Sequence, residues 1–118
     1  MKSIPTRQAA YLLDIYHSAK FIQEYVAGLT REQFLQDAKT QDAVLRRFLV
    51  AGEAASKVDE ETRALFPAIP FQKIASMRNR IVHDYGNIDL DIVWETIENY
   101  LPDLYKELSD YFSRRGEE

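Results

Sequence analysis

The sequence contains no cysteine. That excludes disulfides, thiolate metal sites and cysteine nucleophiles, and it fits a reducing cytoplasm. Histidine is nearly absent too, with only His17 and His83. No His-Glu-x-x-His or paired-histidine spacing occurs, so neither a metal site nor any other cofactor is expected. The four glycines, Gly28, Gly52, Gly86 and Gly116, are scattered and form no phosphate-cradling loop. Long apolar runs are missing. Met1-Lys2-Ser3-Ile4-Pro5-Thr6 leads into no apolar core, and Tyr11-Leu12-Leu13 is cut at once by Asp14. Neither a signal peptide nor a membrane span is expected. Nor is there an excess of positive charge: 15 Lys and Arg face 19 Asp and Glu, for a formal charge of -4 and a pI near 5.2. Such a balance argues against broad, non-specific nucleic-acid binding, which rests on many phosphate contacts. It leaves room for a small basic site on an acidic body.

What is present is helical. At 118 residues the chain is one domain, long enough to bury roughly two-thirds of its unfolded surface without crosslinks. The first helix is expected to start with Thr6 as N-cap, after Pro5. Ala9, Leu12, Leu13, Tyr16, Ala19 and Ile22 (or Val26) then recur at helical spacing, and Gly28 supplies a left-handed stop. Thr30-Arg31-Glu32-Gln33 reads as a capping box for a short turn. A second long helix, from about Thr40 to Val58, turns Val44, Leu45, Phe48, Leu49, Gly52, Ala55 and Val58 inward. Gly52, Ala55 and Ser56 narrow that face for a close neighbour. Glu53, among them, reads as a solvated side chain, with an arginine further along the chain as the alternative partner. Asp59 caps a short turn through Ala64-Leu65-Phe66 that Pro67 ends. Pro70 opens a third helix along Phe71, Ile74, Ala75, Arg78, Ile81 and Val82, with Gly86 and Asn87 as its stop. Asp89 caps the last helix, whose stripe is Val93, Ile97, Leu101, Leu104, Leu108 and Phe112. Pro102 within it is expected to kink or divide it, and Arg114 to Glu118 are expected to fray. With no alternating β pattern and no repeat or linker, the fold is an all-α up-and-down bundle of four principal helices plus short helical turns.

One stretch concentrates reactive groups: Met77-Arg78-Asn79-Arg80-Ile81-Val82-His83-Asp84-Tyr85-Gly86. Between Phe71 and Gly86, Lys73, Arg78 and Arg80 outnumber the single acid Asp84. On a helix, residues five apart lie about 140° apart around the axis. Arg78 and His83 therefore flank a groove instead of stacking, while Asn79 and His83, four apart, do stack. Cleaving RNA without a metal requires a base for the ribose 2′-hydroxyl and an acid for the departing 5′-oxygen. It also requires fixed positive charge on the phosphorane-like transition state. Histidine, with an ordinary pKa near 6.5, suits the proton transfers, and the planar arginine fork suits the phosphate. A single histidine does not serve as base and acid at once, which two copies across a symmetric dimer, or one histidine working beside water, would solve. The same residues also fit a solvated helix end. Arg80 and Asp84 have the spacing of an exposed ion pair, and His83 sits where a helix C-terminus favours a cation. Residue chemistry alone leaves both readings open. Elsewhere, His17, Tyr11, Tyr16 and Tyr25 read as packing or surface residues, and Arg46-Arg47 as a solvated basic pair or an extension of an RNA surface.

Arg78-Asn79-Arg80-Ile81-Val82-His83-Asp84-Tyr85 resembles the Arg-x4-His-x-Tyr motif of HepT-like toxins in the HEPN superfamily. Gly52-Glu53-Ala54-Ala55, Pro67-Ala68-Ile69-Pro70 and Val93-Trp94 are similar to the same family, so the resemblance spans nearly the whole chain. It implies a HEPN-type bundle that forms a homodimer with both motifs facing one cleft. It also implies a metal-independent endoribonuclease, with tRNA among its substrates, acting as the toxin of a toxin–antitoxin pair. The partner implied is an MntA-like minimal nucleotidyltransferase that silences the toxin by transferring AMP onto the motif tyrosine, here Tyr85. On that resemblance His83 is the general acid/base, Arg78 the phosphate clamp, Asn79 an orienting hydrogen-bond donor and Tyr85 the modification site. Two rival expectations are a non-catalytic helical partner that presents nucleotide or RNA to the nucleotidyltransferase, and a plain dimerisation module.

Overall fold

The computed structural model describes residues 3–115. Among them the chain forms seven α-helices and one 3-10 turn, with no strand. The helices are α1 (Thr6–Val26), α2 (Arg31–Leu35), α3 (Ala38–Lys57), α4 (Glu60–Arg63), α5 (Phe71–Asp84), α6 (Leu90–Asn99) and α7 (Leu101–Arg115). The 3-10 turn, Tyr85–Asn87, follows α5. The bundle of four principal helices is therefore α1, α3, α5 and the divided pair α6 and α7.

Local chemistry accounts for most boundaries. Thr6 is the first helical residue and not the cap; Pro5 precedes it in an extended conformation and no side chain caps the end. Proline locks φ near the value it shows here, -56°, which suits a helix start, and its ψ of 146° keeps Pro5 itself outside the helix. After α1 the chain turns at Gly28, whose φ of +80° is open to glycine at no steric cost. Thr30 and Gln33 form the expected reciprocal box. The second long helix begins earlier than the apolar pattern suggests, because Asp37 caps it by accepting from the Thr40 N–H at 3.0 Å. Pro102 divides the last helix as expected: α6 ends at Asn99, and α7 starts afresh with Pro102 in its first turn, where its missing N–H is harmless. Arg114 and Arg115 are helical residues of α7 and not frayed; Gly116 to Glu118 lie outside the described residues.

The core follows from antiparallel packing about α3. On one side α1 meets it, with Arg47 over the Phe21 ring and Lys57 over the Tyr11 ring. On the other side lies α5. Val44, Leu45, Phe48 and Ala55 of α3 are buried between them. Ser56, expected in this inner face, is exposed and bonds back to the Glu53 carbonyl, while Ala51 and Ala54 are buried instead. α7 returns along α1, stacking Tyr105 on Tyr16 at 5.3 Å and burying Phe112 beside them. Trp94 of α6 closes on Phe34 of α2 at 5.2 Å, and an Arg31–Asp91 ion pair lies across the same two helices.

Two caps carry a pH signature. The Asp37 carboxyl is held below its ordinary range by the Thr40 side chain and then the Thr40 N–H, and Asp59 likewise by Thr62. A carboxyl whose folded pKa is depressed stabilises the fold above its unfolded pKa, about 4, and loses that contribution as pH falls through the folded value. An Asp37→Ala/Asp59→Ala variant is therefore expected to melt below the parent at pH 7, with the gap closing in acid below about pH 4. Thermal melts from pH 7 to pH 2 read this, and a gap that stays constant would contradict it.

Candidate active site

The exposed face of α5 is set by the buried one. Ile74, Met77 and Ile81 share one side of the helix and are all buried. Arg78 then lies at one edge of the solvent-facing arc. Asn79 and His83 sit at its middle, and Arg80 and Lys73 at the far edge, about 200° and 220° around from Arg78. The helix stays regular through His83 and Asp84 before tightening into the 3-10 turn that starts at Tyr85. Gly86 adopts no left-handed conformation, so the stop is this tightening of the backbone, with Asp84 at φ -130°, and not a glycine cap.

Arg78 is the best-held cation of the face. Its Cβ packs directly on the backbone of α3, where a Cβ added to Gly52 would stand 2.2 Å from the Arg78 Cβ and 2.9 Å from the Ile74 carbonyl oxygen. That close approach is the packing reason for a glycine within a helix. The guanidinium then divides its donors: Nη1 donates to Asn79 Oδ1 at 2.9 Å and Nη2 pairs with Glu53 Oε2 at 3.3 Å. Glu53 is thus a partner of the motif arginine and not merely a solvated side chain, and its other oxygen meets Lys57 Nζ at 3.3 Å. Its place one residue after Gly52 puts it beside the helix crossing, which decides between the two readings. Asn79 has a second part beside the expected one. A guanidinium can only donate, so the asparagine oxygen accepts and orients Arg78, leaving the Asn79 amide hydrogens toward solvent.

His83 is exposed and makes no hydrogen bond or ion pair among the described residues, so both ring nitrogens are open to a bound molecule. Arg80 is exposed too and forms no ion pair with Asp84; both line a groove of about 210 Å³ with Asn87 and Asp89 beside α6. Tyr85 is 51% exposed. Its hydroxyl crosses to α3 and donates to Asp42 Oδ1 at 3.0 Å, and that bond, with slight burial and the nearby negative charge, raises the phenol above its ordinary pKa of 10.0.

Asp42 is the residue the sequence reading lacked. It lies eleven residues before Glu53, three turns of helix, so the two acids share one line along α3. One meets Tyr85 and the other Arg78. The eleven-residue spacing of acids was the available signal, but only the pairing of α3 with α5 gives it meaning. Arg46 and Arg47 separate. Arg46 lines a groove of about 280 Å³ with Tyr11, Asp14 and Glu53, next to Arg78's partner, whereas Arg47 turns to Phe21. His17 is a surface residue beside Tyr16. Among the described residues no group of three or more His, Asp or Glu side chains is placed to hold a metal ion, and no helix is long and apolar enough to cross a membrane.

With this geometry in view, comparison with known proteins is informative. Residues 15–110 match the family described as Ribonuclease HepT-like. The chain belongs to that family. It is 35% identical over 94 residues to a "Probable ribonuclease HepT" of Thermococcus cleftensis, covering 80% of this chain and 86% of the relative. A "Putative RNase" of Methanocaldococcus jannaschii is 34% identical over 101 residues, covering 86% of this chain and 84% of the relative. Another, of Caldanaerobacter subterraneus, is 31% identical over 104 residues, 88% of this chain and 93% of the relative. No solved structure gives a significant match. At the level of the family, then, the chain is a HepT-like ribonuclease.

Proposed function

We propose that the protein is a metal-independent endoribonuclease whose active site is the exposed face of α5, and that it acts as the toxin of a HepT/MntA-like toxin–antitoxin pair. The observation that carries this reading is the contrast between Arg78 and His83. Arg78 is oriented by Asn79 and Glu53, as a clamp for a phosphate should be. His83 is exposed and unengaged on the same face, as a proton carrier should be. Membership of a ribonuclease family supports it.

In the proposed reaction the ribose 2′-hydroxyl attacks the adjacent phosphorus, the P–O5′ bond breaks, and a 2′,3′-cyclic phosphate and a 5′-hydroxyl result. Arg78 donates two parallel hydrogen bonds to the non-bridging oxygens as their charge grows. His83 moves the proton. Because one imidazole cannot be base and acid in the same instant, the unit of activity is a homodimer with two α5 faces lining one cleft. That arrangement also doubles the local positive charge on an acidic chain. The RNA substrate proposed is tRNA, and the site of action the cytoplasm.

Tyr85 lies at the end of this face, half exposed. AMP joined to it by an MntA-like minimal nucleotidyltransferase would bring phosphate charge and adenine bulk to the RNA path. Expression without the partner is expected to arrest growth, and His83→Ala to relieve the arrest. Co-expression should add mass in AMP steps that vanish in Tyr85→Phe. Growth unaffected by the unpartnered protein would contradict the toxin reading.

Glu53 supplies a separate expectation. Its carboxylate occupies Arg78 Nη2 in the free protein, so an incoming phosphate has to displace it. Glu53→Gln is expected to tighten binding of a 2′-deoxy-blocked RNA a few-fold, about 1 kcal/mol or less for a half-exposed pair. Stability should change little, since exposed ion pairs contribute about 0–1 kcal/mol. Weaker binding by the variant would show that Glu53 positions Arg78 more than it competes for it.

A further inference from the structure

We propose that Asp42 is the proton acceptor that activates Tyr85 for nucleotide transfer. The inference rests on the reading of Tyr85 as the modified residue and adds a residue of this chain to that chemistry. Tyr85 and Asp42 are 43 residues apart, on the turn after α5 and on α3, yet the tyrosine hydroxyl points its hydrogen at Asp42 Oδ1 across 3.0 Å. Both residues are exposed at this end of the bundle. Asp42 forms no ion pair among the described residues, so no bonded cation competes with the phenol for the acceptor oxygen.

The chemistry needs such a group. The phenol is held above its ordinary pKa, so it is protonated at neutral pH, and a neutral phenol is a weak nucleophile. A carboxylate already bonded to the hydroxyl hydrogen takes it as the new bond forms, the arrangement by which a protein-kinase aspartate accepts the proton of a substrate hydroxyl. In balanced form, Tyr85 Oη attacks the α-phosphorus of a nucleoside triphosphate carried by the nucleotidyltransferase. The Oη–P bond forms, the bond from the α-phosphorus to the bridging oxygen breaks, pyrophosphate leaves, and the phenolic proton passes to Asp42 Oδ1. The same bond fixes the ring. It keeps Oη on the α3 side of the turn.

The test measures the initial rate of AMP incorporation from ATP by a purified MntA-like minimal nucleotidyltransferase, by intact mass and peptide mapping. Substrates are the full-length protein and its Asp42→Asn, Asp42→Glu and Tyr85→Phe variants. Asparagine keeps the size and the accepting oxygen of Asp42, so it preserves the position of the ring and removes only the base. Asp42→Asn is expected to slow transfer about 100-fold or more, and Asp42→Glu to recover at least tenfold over Asn. A merely structural role would leave Asp42→Asn at the parental rate, and that result would overturn the inference. If the parent accepts AMP at a residue other than Tyr85, or accepts none, the underlying reading of Tyr85 fails and the inference with it. If Tyr85→Phe abolishes incorporation and Asp42→Asn does not slow it, only the inference fails. Thermal melts of each variant beside the parent separate a lost base from a lost fold.

Discussion

Gly52→Ala is expected to destabilise the protein by up to about 2 kcal/mol net, and by more if backbone has to move, and to displace Arg78. The cause is local. The added methyl would stand 2.2 Å from the Arg78 Cβ and 2.9 Å from the Ile74 carbonyl oxygen, and neither atom is the far end of a flexible side chain. Alanine gains about 1 kcal/mol over glycine in a helix interior. Overpacking a close contact costs typically 1–3 kcal/mol and more where backbone has to move, so the clash outweighs the gain. Relief requires α5 to back away from α3. That carries the Arg78 Cβ with it and breaks the geometry to Glu53 and Asn79. Urea unfolding gives the stability, and far-UV circular dichroism should show the helices retained. RNA cleavage should fall more steeply than the folded fraction at the assay temperature. An alanine variant as stable as the parent would mean that α3 and α5 do not approach so closely.

The second large effect concerns chemistry with little change in fold. Arg78→Ala and His83→Ala are each expected to lower single-turnover RNA cleavage by about 10²–10⁴-fold. His83 is exposed and unpartnered, so its removal should leave the melting temperature nearly unchanged. Arg78→Ala gives up its contacts to Glu53 and Asn79, and a small loss of stability is expected. Arg78→Lys is informative beside it. Lysine keeps the charge but not the planar fork, so it should restore RNA binding more than it restores the rate. A variant at full rate, with contaminating nuclease excluded, would remove that residue from the proposed mechanism.

These expectations show how far the sequence could be read. The helices were legible because their apolar residues recur at three and four and because caps such as Thr30, Asp59 and Asp89 mark their starts. The break before Pro102 follows from proline's missing donor and its clash with the preceding turn. Asp37 is not marked as a cap by periodicity, because after Ala38 four polar residues intervene and the buried stripe of α3 starts only at Val44. At the site, Arg78, Asn79, His83 and Tyr85 lie within eight consecutive residues and could be singled out together. Their partners could not, because Glu53 and Asp42 reach them across the α3–α5 packing, a tertiary fact that periodicity does not encode. Gly52 was the hint that this packing is close, and Glu53 beside it was the residue whose role the crossing decides.

The most direct measurement is the chemical nature of the ends left on RNA cut by the purified protein in the presence of EDTA. If Arg78 and His83 carry out the proposed transfer, the upstream fragment ends in a 2′,3′-cyclic phosphate and the downstream fragment begins with a 5′-hydroxyl, and both disappear in His83→Ala. Products bearing a 3′-hydroxyl and a 5′-phosphate would mean that an activated water and not the ribose 2′-hydroxyl attacks the phosphorus, and cleavage that stops with EDTA would mean that the reaction needs a metal. The α5 face would then not be acting in the way proposed.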